Sequence, residues 1–213
     1  MKGVHKHAGK FSAAYFWFLV LLAALAFAWI FAIPSGNFWV KLVISVCVLC
    51  GAAFAHAPIP WRKVDATLRE VLIGVAAAAA LYGVFWLGDF CAADLFDFAP
   101  QQVEKIYGIR AQGNSWVIGA VLLLTSTGEE LFWRGYILRE ATTRWGNLWG
   151  PIAGAGLYGA VHIPSGNVML VLAAIIAGIF WCALYRWRNG NLTACIVSHI
   201  LWTISVFLLF PIR

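Results

Sequence analysis

Charge is scarce in this sequence: Asp, Glu, Lys and Arg make up 11% of its 213 residues, and no acidic residue occurs after Glu140. A soluble domain needs a solvated charged face, so this shortage, beside 62% hydrophobic residues, excludes an ordinary soluble fold. Low-complexity tails and evident repeats are also missing. The five cysteines are odd in number and lie mostly in apolar runs, so no disulfide framework is implied. Even Cys47-x-x-Cys50 falls inside the apolar stretch Val40–Phe54, where cysteine acts as a small hydrophobe. The first hydrophobic run, Phe11 to Ile33, lacks a small-residue cleavage site followed by a polar mature domain. It is expected to remain as a span rather than to leave as a signal peptide.

What is present is a series of apolar runs of roughly membrane-crossing length, about 20 residues each. Seven spans are expected, near 12–33, 38–56, 69–88, 114–140, 148–163, 168–186 and 191–210. The breaks fall at Pro34-Ser35-Gly36-Asn37, Pro58-Ile59-Pro60, Gly146 to Pro151, Pro164-Ser165-Gly166-Asn167 and Asn189-Gly190-Asn191. The expected fold class is therefore all-α, a polytopic membrane helix bundle of about seven transmembrane helices forming one integral unit. Residues 1–113 would hold three spans and an extramembrane loop at about 89–113 with a short amphipathic helix; residues 114–213 would hold the other four.

The net charge of +6 does not require nucleic acid, because basic residues in membrane proteins mark cytoplasmic loops and meet anionic headgroups. Lys2, Lys6 and Lys10, then Arg62, Lys63 and Arg69, Arg139 and Arg144, and Arg186 and Arg188 recur on alternate loops. In 89–113, four acids offset Lys105 and Arg110. The positive-inside rule then predicts a cell-membrane, multi-pass protein with a cytoplasmic N-terminus and an outside C-terminus. Lys41 stands apart and is expected to snorkel to the outer surface.

Against this apolar background, Glu129-Glu130-Leu131-Phe132-Trp133-Arg134 is costly: each charge in a span costs roughly 2.5–3.5 kcal/mol. Glu130 and Arg134 are spaced i,i+4 and can pair on one face, while Glu129 points about 100° away. His162 and His199 also fall within spans, with Tyr158 four residues before the first and Thr203 four after the second. If the fourth and fifth spans form a hairpin turning near Trp145–Gly146, Glu129 lies 16 residues before Trp145 and His162 lies 17 after it. At ~1.5 Å per residue both stand ~25 Å from the turn, at one height. A desolvated carboxylate with two histidines suits activation of water and stabilisation of an oxyanion. The same set could ligate zinc, although no H-E-x-x-H is present. Buried Glu and His also serve proton relays, and a non-enzymatic, immunity-type membrane protein is a further alternative.

The segment Glu129 to Leu138 resembles the EExxxR motif of the CPBP intramembrane proteases, the group of the Rce1-type CAAX prenyl endopeptidases and the bacterial Abi proteins. Tyr158-Gly159-Ala160-Val161-His162 resembles the family's aromatic-xxx-His motif. A third motif, His-xxx-Asn, would begin at His199, with Thr203 in place of the Asn. The likeness covers roughly 114–207. It implies a metal-free, cofactor-free glutamic endopeptidase in which Glu129 and His162 activate water. In it His199 stabilises the oxyanion with Thr203 beside it, and Glu130, Arg134 and Tyr158 support the site. The implied partners are the lipid bilayer and a membrane-anchored or C-terminally tailed protein or peptide substrate. The implied setting is a bacterial inner membrane, and the chain has the look of a compact bacterial member.

Overall fold

Apolar runs become helices here, and the helices stop at the Pro, Gly and Asn clusters that separate them. The computed structural model describes residues 5–56 and 63–212, and every regular element among these is helical. The helices are α1 (His5–Ala32), α2 (Phe38–His56), α3 (Leu68–Leu95), α4 (Ala99–Gly108), α5 (Ser115–Phe132), α6 (Arg139–Ala160), α7 (Val168–Trp187) and α8 (Thr193–Ile204). A 3₁₀ turn, Ile109–Gln112, follows α4, and π-helical stretches Trp133–Leu138 and Ser205–Leu209 continue α5 and α8. Asn114 and Asn167 cap α5 and α7 by accepting first-turn N–H groups that have no intrahelical partner. The Pro58-Ile59-Pro60 break, Lys2, Arg62 and the side chains of His5, Lys6, His7 and Lys10 lie outside the described residues.

The chain is an all-α bundle, with helix at each of the seven expected spans. Four helical segments, Ala13–Ala32, Phe38–His56, Leu68–Leu95 and Val168–Trp187, are long and apolar enough to cross a membrane. Thr193–Leu209 is apolar but shorter. The expected amphipathic helix in the 89–113 loop is α4, whereas α3 runs on to Leu95, past its expected end near 88.

The expected hairpin also appears. Gly146 leaves helical geometry at φ +76°, a backbone region that glycine enters without steric cost. The chain reverses there, and Gly150 packs directly on the backbone of Thr142, where a Cβ would have no room. Leu138 meets Gly154, and Trp133 meets Tyr158 with ring centroids 5.3 Å apart. Every one of these pairs is nearly equidistant in sequence from Gly146, so the fourth and fifth spans are antiparallel and in register.

The bundle presents two unlike ends. One carries Lys63, Arg69, Arg139, Arg144, Arg186 and Arg188, and the segment after α2 is tied there to the α7–α8 turn. Arg188 pairs with Glu70, Lys63 Nζ donates to the Asn189 carbonyl at 3.0 Å, and the Leu192 N–H donates to the Lys63 carbonyl at 2.7 Å. The other end carries the α1–α2 turn, α4, the Ile163–Ser165 turn and Phe210–Ile212. Lys41 corrects an expectation. It does not snorkel outward but is 5% exposed, its ammonium donating to the carbonyls of Trp29, Ile30 and Ile33 at 3.2, 2.9 and 2.7 Å. The last turn of α1 has unpaired carbonyls, and a cation is favoured there.

Candidate active site

Glu129 and Glu130 close α5, and the 100° between successive helical residues sends them into different surroundings. Glu130 is fully buried. Its Oε1 accepts from Arg134 Nη1 at 2.9 Å and from His199 Nδ1 at 2.8 Å, while Oε2 has no partner among the described residues. The i,i+4 pair expected from spacing is therefore present, and His199 of α8 joins it from 69 residues away. Arg134 also lies over the rings of Tyr158 and Trp181, 4.8 and 5.2 Å from their centroids, and donates to the Gly178 carbonyl at 3.4 Å. Trp181 stacks on His199 at 3.9 Å and donates its indole N–H to Ser198 Oγ at 3.2 Å.

Glu129 has no ion pair among the described residues. Its Oε2 accepts from the Tyr158 hydroxyl at 2.9 Å. It lines a cavity of about 130 Å³ together with His162, His199, Thr203, Thr125 and Ser126. Phe27 and Phe31 of α1 wall this cavity and contact the His162 ring, with centroids 5.0 and 5.8 Å away. A space of this size holds several waters, each needing about 30 Å³ of liquid volume. Just before Glu129, the Cys50 thiol lies 3.2 Å from the Gly128 carbonyl and pins α2 to α5. Cys50 and Cys47 are both free thiols.

Hydrogen bonding assigns the histidine tautomers. His162 Nδ1 lies 2.8 Å from the Tyr158 carbonyl, which only accepts, so Nδ1 carries the proton and Nε2 keeps its lone pair. His199 Nδ1 faces a carboxylate and is likewise the donor. A histidine held by a carboxylate at one nitrogen has a fixed ring orientation. Thr203 is differently employed: its hydroxyl donates to the His199 carbonyl at 2.8 Å, one turn back in its own helix. Thr203 lines the cavity, and its hydroxyl proton serves the backbone.

The structure thus brings Glu129, His162, His199 and Thr203 to one cavity and puts Glu130, Arg134 and Tyr158 around it. Among the described residues, no group of three or more His, Cys, Asp or Glu side chains could hold a metal ion. Sequence reasoning missed Trp181, Ser198 and the aromatic wall of α1. A tryptophan in an apolar run carries no mark of the histidine it stacks upon.

Neither the curated proteins nor the solved structures include a significant match to this chain. The family model described as type II CAAX prenyl endopeptidase, Rce1-like, matches residues 111–205. That interval opens just before α5 and closes just after α8, so it contains both glutamates, Arg134, Tyr158, both histidines and Thr203. Residues 111–205, somewhat under half of the chain, are thus similar to the Rce1-like type II CAAX prenyl endopeptidases.

Proposed function

We propose that the protein is a glutamic intramembrane endopeptidase that cleaves a membrane-anchored or C-terminally tailed protein with a water activated by Glu129 and His162. The observation that carries this reading is the cavity, where an unpaired carboxylate, two oriented histidines and room for water converge. Water sits between Glu129 and His162 Nε2 and attacks the scissile carbonyl as Glu129 takes its proton. A tetrahedral oxyanion forms, and His199, its ring oriented through Nδ1 by the Glu130 carboxylate, stabilises it from the Nε2 side. Collapse breaks the C–N bond; protonated Glu129 returns its proton to the leaving nitrogen, and the products are a carboxylic acid and an amine, which exchange a proton to leave as carboxylate and ammonium.

Thr203 in this reading shapes the cavity and holds the α8 backbone rather than donating to the oxyanion. The cavity lies at the end away from the basic loops, which the positive-inside rule assigns to the non-cytoplasmic face. The N-terminus then lies inside and the C-terminus outside. The reading is tested with purified protein in proteoliposomes and a panel of tailed reporter peptides, with bound zinc measured in the same samples. Cleavage by wild-type protein, lost in Glu129→Gln and in His162→Ala and independent of zinc content, is expected. Full activity in Glu129→Gln would overturn it, and activity rising in proportion to zinc would replace it with metal-dependent hydrolysis.

A further inference from the structure

A cavity of about 130 Å³ is smaller than the ~300–1,000 Å³ of sites that take up drug-sized ligands, and a peptide chain needs no less. The segment Ala99–Gln112 lies along one side of it, outside the family-matched interval at 111–205 except for its last two residues. Ile106 and Ile109 line the cavity from this segment.

Two glutamines fasten the segment in the same manner. Gln112 meets the start of α2: Asn37 Nδ2 donates to its backbone carbonyl at 2.6 Å, and the Phe38 N–H donates to its Oε1 at 2.8 Å. Gln102 meets the start of α7: Asn167 Nδ2 donates to its carbonyl at 2.7 Å, and the Met169 N–H donates to its Oε1 at 3.0 Å. In both cases an asparagine at a helix start gives its amide to the strap's backbone, and the strap's side chain satisfies an otherwise unpartnered first-turn N–H. Arg110 Nη1 also donates to the Phe207 carbonyl at 3.3 Å and the Tyr107 hydroxyl accepts from the Ile212 N–H at 3.1 Å, but beyond these hydrogen bonds the strap is thinly packed. Ala99 is the buried residue of α4, and Ile109–Gln112 has none. A ten-residue helix with so little burial has small stability of its own and belongs to the low-energy end of local opening.

We propose that Ala99–Gln112 is a latched lid over the catalytic cavity, held shut by Gln102 and Gln112, and that its release admits substrate from the α4 end. The role in admitting substrate rests on the endopeptidase reading; the gating of the cavity is measurable without it. The reporter is Ser126→Cys, on the cavity wall, labelled with N-ethylmaleimide in the full-length protein in nanodiscs and quantified by site-resolved mass spectrometry. Thr125→Cys is a second reporter should the first fold poorly. Buried Cys195, on α8 and away from the cavity, is the internal control.

Adding Gln102→Ala and Gln112→Ala is expected to raise labelling at the cavity cysteine at least tenfold while leaving Cys195 unchanged. Unchanged cavity labelling, or equal acceleration at Cys195, overturns the lid. Cleavage of the reporter peptides, measured in parallel without the reporter cysteine, is expected to rise with the same latch substitutions. Latch-dependent labelling in a protein that cleaves nothing overturns the endopeptidase reading and leaves the gate standing.

Discussion

Glu129 and Glu130 are adjacent in sequence yet belong to two differently built regions. Around Glu130 the protein is packed: Arg134, His199, Trp181 and Tyr158 surround one carboxylate, and the group is fully buried. Around Glu129 it is open, with one hydrogen bond from Tyr158 and a cavity beyond. The same functional group is structural in one place and available in the other, and the deciding variable is how many donors its neighbours supply. His199 joins the two regions, because one ring nitrogen is fixed in the packed block while the residue lines the cavity.

The comparison breaks most visibly if Glu130 is removed. Glu130→Gln leaves Arg134 buried beside a weaker acceptor, and loss of one partner of a buried pair costs about 3–5 kcal/mol. A melting curve in detergent should show this as a large downward shift; an unchanged curve would mean that Glu130 is not structural. His199→Ala removes a donor from both regions. The expected loss is about 10²–10³-fold in cleavage rate, the scale of one oxyanion donor, with a measurable loss of stability as well.

Smaller effects sharpen the boundary. Lys41→Met strips three carbonyls at the end of α1 of their donor and should cost about 1–3 kcal/mol, read by thermal melting, with catalysis per folded molecule unchanged. Thr203→Val removes a hydroxyl whose proton already serves the helix, so stability should change by about 0.5–1.5 kcal/mol and cleavage by only a few-fold. A hundredfold loss on that substitution would instead make Thr203 a donor to substrate.

Much of this arrangement was legible in the residues. Gly146 marked the hairpin turn, and equal counting from it put Glu129 and His162 at one height; their cavity is shared. The i,i+4 spacing of Glu130 and Arg134 gave their ion pair. Hidden from sequence was the rotation of α8 and α7 about their axes, which decides that His199 turns to Glu130 and that Trp181 lies beneath it. Periodicity defines a polar stripe on one helix but not which neighbour it meets. The Lys41 expectation failed for a related reason: a span-end lysine can reach water or the carbonyls of the adjacent helix end, and only tertiary structure supplies the second. The glutamine fastenings of α4 were illegible because Gln102 and Gln112 find partners 65 to 75 residues away at the starts of other helices.

The central claim, that one glutamate is kept for chemistry and its neighbour for structure, is tested most directly by measuring melting temperature and peptide cleavage for Glu129→Gln and Glu130→Gln side by side. The account predicts that Glu129→Gln melts within about 2 °C of wild type, because a Gln oxygen can still accept from Tyr158, while cleavage falls by roughly 10²–10⁴-fold. Glu130→Gln should melt far lower. Wild-type cleavage by Glu129→Gln, or equal destabilisation of the two variants, would contradict it.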